Sequence, residues 1–401
     1  MFFLKWMVIF FSVHALPAAV HWSPPEILFS STEYTVEAPY IFFDEMPNQL
    51  ELVWLVSKEG QSSLLSSHFN GTTWLRPTTL YTTAATISSL SFGRGCEETN
   101  VLCWISSESV LAAKYRRGIW CNTITLPNGL ENQQNTHLST AVSKTGNPLI
   151  AWQDKNCQLQ GVTLNQETPS PVYHLNKNGQ KVVSSLMGPN IAIYNTEDGV
   201  FSVDPLSYPS LIQHAQLFPL PATPFCLSID GSIFLFEDHR SHYLIGGHWK
   251  EGKWFYQIID PVSRNRMNAC VTTGANQENI ASIWQTTTGM IYTSLWDGAS
   301  WTIPKMQYHK GTCPRILILS YNQHVLAAWI SCDPNLKEAV VMVSEWSFPQ
   351  WTSPICLSPP GEEISDLQIS ANELGDVVAV WTRQIKETHH AMVEVARGVL
   401  F

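Results

Sequence analysis

The sequence predicts an all-β fold, a β-propeller of eight four-stranded blades, and three observations carry that expectation. Short apolar runs ending in tryptophan recur along the 401 residues; a second tryptophan series keeps step with the first; and the 3.6-residue spacing of amphipathic helices is hardly visible anywhere.

The first series is Glu51-Leu-Val-Trp54, Val101-Leu-Cys-Trp104, Leu149-Ile-Ala-Trp152, Ala281-Ser-Ile-Trp284, Leu326-Ala-Ala-Trp329 and Val378-Ala-Val-Trp381. Between Trp152 and Trp284 the tryptophan lapses, and Ile191-Ala-Ile-Tyr194 and Ile233-Phe-Leu-Phe236 stand in its place. With these two the interval stays between 42 and 52 residues and the copies number eight; merging of the degenerate middle units would give seven. Each run has the length and composition of a buried strand.

The second series is Trp22, Trp74, Trp120, Trp254, Trp301 and Trp351, often followed by proline, as in Trp22-Ser-Pro-Pro25 and Trp351-Thr-Ser-Pro354. Five residues before most of these lies another aromatic: Phe69, Tyr115, Trp249, Trp296 and Trp346. Turns such as Asn70-Gly71 and Asp297-Gly298 separate the two, which reads as a tight hairpin with aromatics packed across the ladder. One repeat therefore holds strands near 351–357, 364–370, 377–382 and 390–397. Four strands in about 47 residues fit a propeller blade rather than a helical solenoid repeat. The Trp22 segment has no hairpin partner before it, and the strand at 390–397 has no Trp-Pro strand after it. Pairing the N-terminal strand with the last blade closes the ring and leaves neither edge open.

Composition agrees: 44% of residues are apolar, 14% are charged and 16 are tryptophan, enough for a large aromatic core. No linker, charge block or low-complexity stretch interrupts residues 20–401, so one propeller domain is expected there. Residues 1–19 read as an export signal, because Lys5 precedes an apolar run at 6–13 and cleavage is acceptable after Ala15 or Ala19. No later segment has the roughly 18 uninterrupted apolar residues of a membrane span. A net charge of −10 without a basic run excludes a nucleic-acid partner. Asn70-Gly-Thr72 is an N-glycosylation sequon in an exposed turn.

Catalytic signatures are missing. Gly-x-Ser-x-Gly, His-Glu-x-x-His and paired Cys-x-x-Cys spacings do not occur, so neither a metal site nor a cofactor is expected. Nine cysteines leave at least one thiol unpaired. Cys96 with Cys103 and Cys313 with Cys332 are candidate disulfides; small buried thiols in strands are the equally open alternative.

The Val-Ala-Val-Trp strands, the Gly-x-x-Trp hairpins and the Trp351-Thr-Ser-Pro-Ile-Cys-Leu357 strand resemble exported bacterial β-propeller repeat proteins of the broad sialidase-like class. The resemblance covers residues 22–401. It implies the architecture and leaves activity open, since propellers host many functions. A sialidase Asp-box has the form Ser-x-Asp-x-Gly-x-x-Trp, whereas Ser294-Leu-Trp-Asp297-Gly298-Ala-Ser-Trp301 places Asp and Gly side by side. The arginines such an enzyme needs around its substrate carboxylate are not in place either: Arg76, Arg116 and Arg117 fall on the hairpin side.

The loop after each Trp-type strand and the loop entering each innermost strand share one face of the ring. On that face the candidate binding residues are Asp154, Lys155, Glu237, Asp238, His239, Arg240 and Arg383, with a plain polar loop as the competing reading of each. The eight loops differ in sequence, which argues against a ligand bound in every repeat. The expectation is an exported, monomeric, non-enzymatic binding or scaffold propeller that recognises a protein or glycan through one face. A carbohydrate-active enzyme or lectin is the alternative.

Overall fold

Eight antiparallel sheets follow one another around a ring in the computed structural model. It describes residues 19–400 except 45–47, 96–98, 108, 127–137, 144, 155, 166–167, 177–180, 190, 204–213, 219–221, 229, 251–252, 263–264, 274–278, 320–323, 334–337 and 348–349. The proposed export signal, apart from Ala19, lies outside the described residues, as do Lys155 and Cys96.

Blade 1 shows the pattern: Thr35–Phe43 is innermost, followed outward by Leu50–Lys58, Gln61–Phe69 and Thr78–Thr83. Blades 2 to 8 begin with innermost strands Ile87–Arg94, Leu138–Val142, Ser184–Gly188, Ala222–Leu227, Arg266–Thr273, Gly311–Ile318 and Glu363–Ala371. These strands touch their neighbours around the axis, those of blades 1 and 2 through the Phe42 and Phe92 rings, stacked at 4.9 Å. No helix occurs among the described residues, so the eight-bladed expectation holds.

The recurrent tryptophans lie on the second strand of each blade, and Trp54, Trp104, Trp152, Trp284, Trp329 and Trp381 are fully buried, as are Tyr194 and Phe236. They belong to apolar clusters that draw residues from two adjacent sheets; Trp54, for example, packs among Val378, Val380 and Val393 of blade 8. The role is packing: the indole N–H of Trp54, Trp104, Trp152, Trp284 and Trp329 has no acceptor among the described residues. Trp381 is different, because its Nε1 donates to Glu394 across the ladder, and Glu394 also accepts from Arg383 Nε at 2.9 Å.

The second series makes the expected cross-strand pairs. Phe69 meets Trp74, Tyr115 meets Trp120, Trp249 meets Trp254, Trp296 meets Trp301 and Trp346 meets Trp351. Their ring centroids lie between 5.2 and 5.8 Å apart, within the range of favourable aromatic pairs.

The ring closes as the lone N-terminal Trp strand requires. Val20–Trp22 and Glu26–Ser31 both pair with His390–Leu400, the third strand of blade 8, and supply its outer layer. Glu345 of blade 7 accepts from the Val20 amide at 3.1 Å, and Arg397 pairs with Glu26 at 2.8 Å.

Neither candidate disulfide forms. Cys103 and Cys313 carry free thiols, since strand positions facing the inter-blade core suit a small apolar side chain. Burial pushes the Cys103 thiol up to about 12, while Cys356 is exposed. Iodoacetamide at pH 8 is therefore expected to label Cys356 in the native protein and to leave Cys103 unmodified until unfolding; equal native rates, read by peptide mass spectrometry, would contradict this. Glu394→Ala leaves Arg383 buried without its carboxylate and is expected to cost about 3–5 kcal/mol by denaturant unfolding, against a smaller loss for Glu394→Gln.

Candidate functional site

The charged run at 237–242 turns its two carboxylates inward. Glu237 ends the second strand of blade 5, is 8% exposed, and pairs with Arg266 at 3.2 Å and with His242 at 3.1 Å. Arg266 comes from the innermost strand of blade 6, its side chain fully buried, and also binds Asp260 at 2.8 Å. The patch thus fastens blade 5 to blade 6. Asp238 caps the following turn: burial alone would raise its carboxyl, but hydrogen bonds from the Ser241 hydroxyl and the Arg240 and Ser241 amides outweigh that and hold it below its ordinary range. His239 is exposed and shares a 2.7 Å hydrogen bond with Thr223; Arg240 is also exposed.

The other candidates lie elsewhere. Asp154 is buried and organises its own turn, accepting from the Asn156 and Gln158 amides at 2.9 Å and from Gln160 at 3.0 Å. Arg383 is held by Glu394 and by the Pro359 carbonyl at 2.9 Å. The structure therefore brings together Glu237, Asp238, His239 and Arg240, leaves Asp154 in a turn of blade 3 and Arg383 on the second strand of blade 8, and exposes only His239 and Arg240 within the group.

A second location has the shape of a binding site. Between blades 5 and 6, at the hairpin end of the ring opposite those loops, a cleft of about 280 Å³ opens to solvent. Trp296, Trp301, Phe255 and His248 form its walls, with Gln257 and Lys250 as polar groups and Gly246 and Gly247 along the blade 5 side. Trp296 and Trp301 meet edge to face at 5.8 Å, and His248 lies against Trp296 at 6.2 Å. Phe255 is 50% exposed, so a large apolar surface is left for a ligand.

The glycine pair makes this geometry. A Cβ on Gly247 would fall 2.2 Å from the Phe234 ring, and one on Gly246 would lie 3.0 Å from Ile259 and 3.4 Å from Trp301 Nε1. Bare backbone there lets Phe234 fill one side and Trp301 approach on the other. In blade 8 the corresponding positions are Val395 and Ala396, and the smaller gap between blades 8 and 1 is lined by Arg397, whose guanidinium stacks 4.2 Å from the Phe69 ring. His248 stands where Arg397 stands. Burial, with help from Lys250, lowers its pKa, so the imidazole is neutral at pH 7 and its ring nitrogens offer one donor and one acceptor.

No protein-family model and no curated protein sequence matches the chain. Among solved structures it is similar to a protein of unknown function from Dyadobacter fermentans, at 10% identity over 95% of this chain and 99% of that one, with a TM-score of 0.47. The WD40 domain of Toxoplasma gondii coronin is similar at 10% identity over 79% and 81% of the two chains, TM-score 0.46. AofleA from Arthrobotrys oligospora follows at 12% identity over 87% and 92%, TM-score 0.44. Such distant likenesses carry no conclusion about ligand or activity.

Gly247→Ala is expected to destabilise the fold by about 1–3 kcal/mol through the clash with Phe234. Unchanged thermal unfolding of that variant would show that the close approach is not required.

Proposed function

We propose that this chain is an exported, non-enzymatic binding propeller that takes a glycan ring in the cleft between blades 5 and 6. The observation that carries the reading is the convergence of Trp296, Trp301 and Phe255 on a small open cleft with Gln257, His248 and Lys250 at its edges. A sugar ring has an apolar C–H face that packs on aromatic planes and hydroxyls that need donors and acceptors, and this lining supplies both. The cleft is slightly smaller than the roughly 300–1,000 Å³ of drug-sized sites, which suits one ring at a chain end. Export is read from the N-terminal sequence, Lys5 followed by the apolar run at 6–13.

Hydrolysis is disfavoured by how the ring-face carboxylates are used. Glu237 is tied to Arg266, and Asp154 and Asp238 are committed to turn amides, so no two of these three carboxyl groups face a shared substrate position. A protein ligand has one supporting observation: Phe255, Tyr256 and Ile258 are exposed on Lys253–Asp260, the outer strand of blade 5, whose free edge could pair with an extended peptide.

The test is a glycan array followed by calorimetry on the best binder. Trp301→Ala and Phe255→Ala are each expected to weaken binding at least tenfold while His239→Ala and Arg240→Ala leave it unchanged. An array without any binder, or equal affinity in Trp301→Ala and Phe255→Ala, would overturn the glycan assignment.

A further inference from the structure

Blades 7, 8 and 1 share a distortion of the innermost strand. Each carries a β-bulge in which a non-glycine residue is left-handed: Cys313 (φ 50°), Asp366 (φ 54°) and Ala38 (φ 47°). No other described innermost strand holds such a residue. Left-handed non-glycine backbone is unfavourable and gathers where a site requires it.

The ladder resumes after each bulge at Arg315, Gln368 and Tyr40. These face Ala328, Val380 and Val53, in each case the residue before the recurrent tryptophan. Three polar side chains thus stand at one level on adjacent strands around the axis. Arg315 Nε donates to Gln368 Oε1 at 3.3 Å, and Tyr40 donates to the Leu90 carbonyl at 3.1 Å. A second arginine comes from blade 2: Arg94 donates to Ser370 Oγ at 3.4 Å. Gln368 and Ser370 are two residues apart on one strand and share a face, so the two guanidinium groups are anchored about 7 Å apart.

Hydrogen-bond donors are in surplus here. Neither Arg94 nor Arg315 makes an ion pair among the described residues; their partners are Ser370, Gln368 and the Pro314 carbonyl. Asp366, the acidic residue on the same strand, accepts instead from the Ala38 amide and the Ser365 and Thr382 hydroxyls. The amide nitrogen of Gln368 and the hydroxyl proton of Ser370 remain to donate once their oxygens have accepted. Burial lowers the Arg94 pKa, the mark of a cation in a poorly solvated place.

We infer that the axis of the ring beside blades 7, 8, 1 and 2 binds a small oxyanion, a carboxylate or phosphate group, between Arg94 and Arg315, with Gln368 and Ser370 as neutral donors. A planar guanidinium fork matches both groups, and an anion supplies the local counter-charge that the neutral partners of Arg94 and Arg315 do not. The site is separate from the cleft between blades 5 and 6 and stands or falls without it.

The test is titration calorimetry of the full-length protein in chloride-free buffer with inorganic phosphate and, in a second arm, acetate and succinate; the arms distinguish the two anion classes. One saturable site is expected for at least one probe. Arg94→Gln and Arg315→Gln should each weaken it tenfold or more, with Arg315→Lys intermediate. Thermal unfolding without anion separates this from a structural role: the Gln variants should melt no lower than wild type there and lose only the rise that the anion gives. Absence of saturable binding to the wild-type protein, or unchanged affinity in both Gln variants, would overturn the inference. So would an equal loss of melting temperature with and without anion.

Discussion

Every blade must bury a flat sheet face against the next one, and a single large aromatic near the middle of the second strand meets that requirement. Its side chain reaches across the gap into the neighbouring sheet, as Trp54 does into blade 8 and Trp329 into blade 6. Large-to-small changes at such positions typically cost several kcal/mol, so the blade spacing is fixed by these contacts more than by any polar link. Polar links cross blades as well, among them Arg266 to Glu237, Trp120 to Glu51 and Glu345 to Val20, and they add register to a spacing that packing sets.

A closed ring imposes a second demand at its joint. His390–Leu400 would present an open edge without residues 20–31, and here the second-strand indole is tied by a carboxylate, Glu394, which holds Arg383 as well. Polar contacts thus reinforce the place where two distant parts of the chain meet. Around the same joint lie the three left-handed bulges and the donor-rich stretch of the axis.

Period and spacing made the fold legible, because the tryptophan of each second strand and the aromatic hairpin pairs depend on local sequence alone. The closing strand was legible for the same reason: Trp22 had no hairpin partner before it. Sites depend on which blades face each other, and that information is not local. The charge density at 237–242 pointed to a ligand surface, yet Arg266, one blade on, neutralises Glu237. The cleft rests on two successive glycines, Gly246-Gly247, in the third strand of blade 5, and on the exposed Phe255 of its outer strand. Those departures from the repeat were the available signal, and they were weaker than a cluster of charges. The two cysteine pairings failed because nearness in sequence gave no evidence that the thiols face each other.

Five of the recurrent indoles spend no hydrogen bond on their N–H. Replacing such a group by phenylalanine alters ring size without orphaning a partner, so the position accepts other aromatics. Tyr194 and Phe236 fill the same position in their blades, which form complete four-stranded sheets. At Trp381 the same replacement would remove one of the two donors to the buried Glu394, so this position tolerates less than its counterparts.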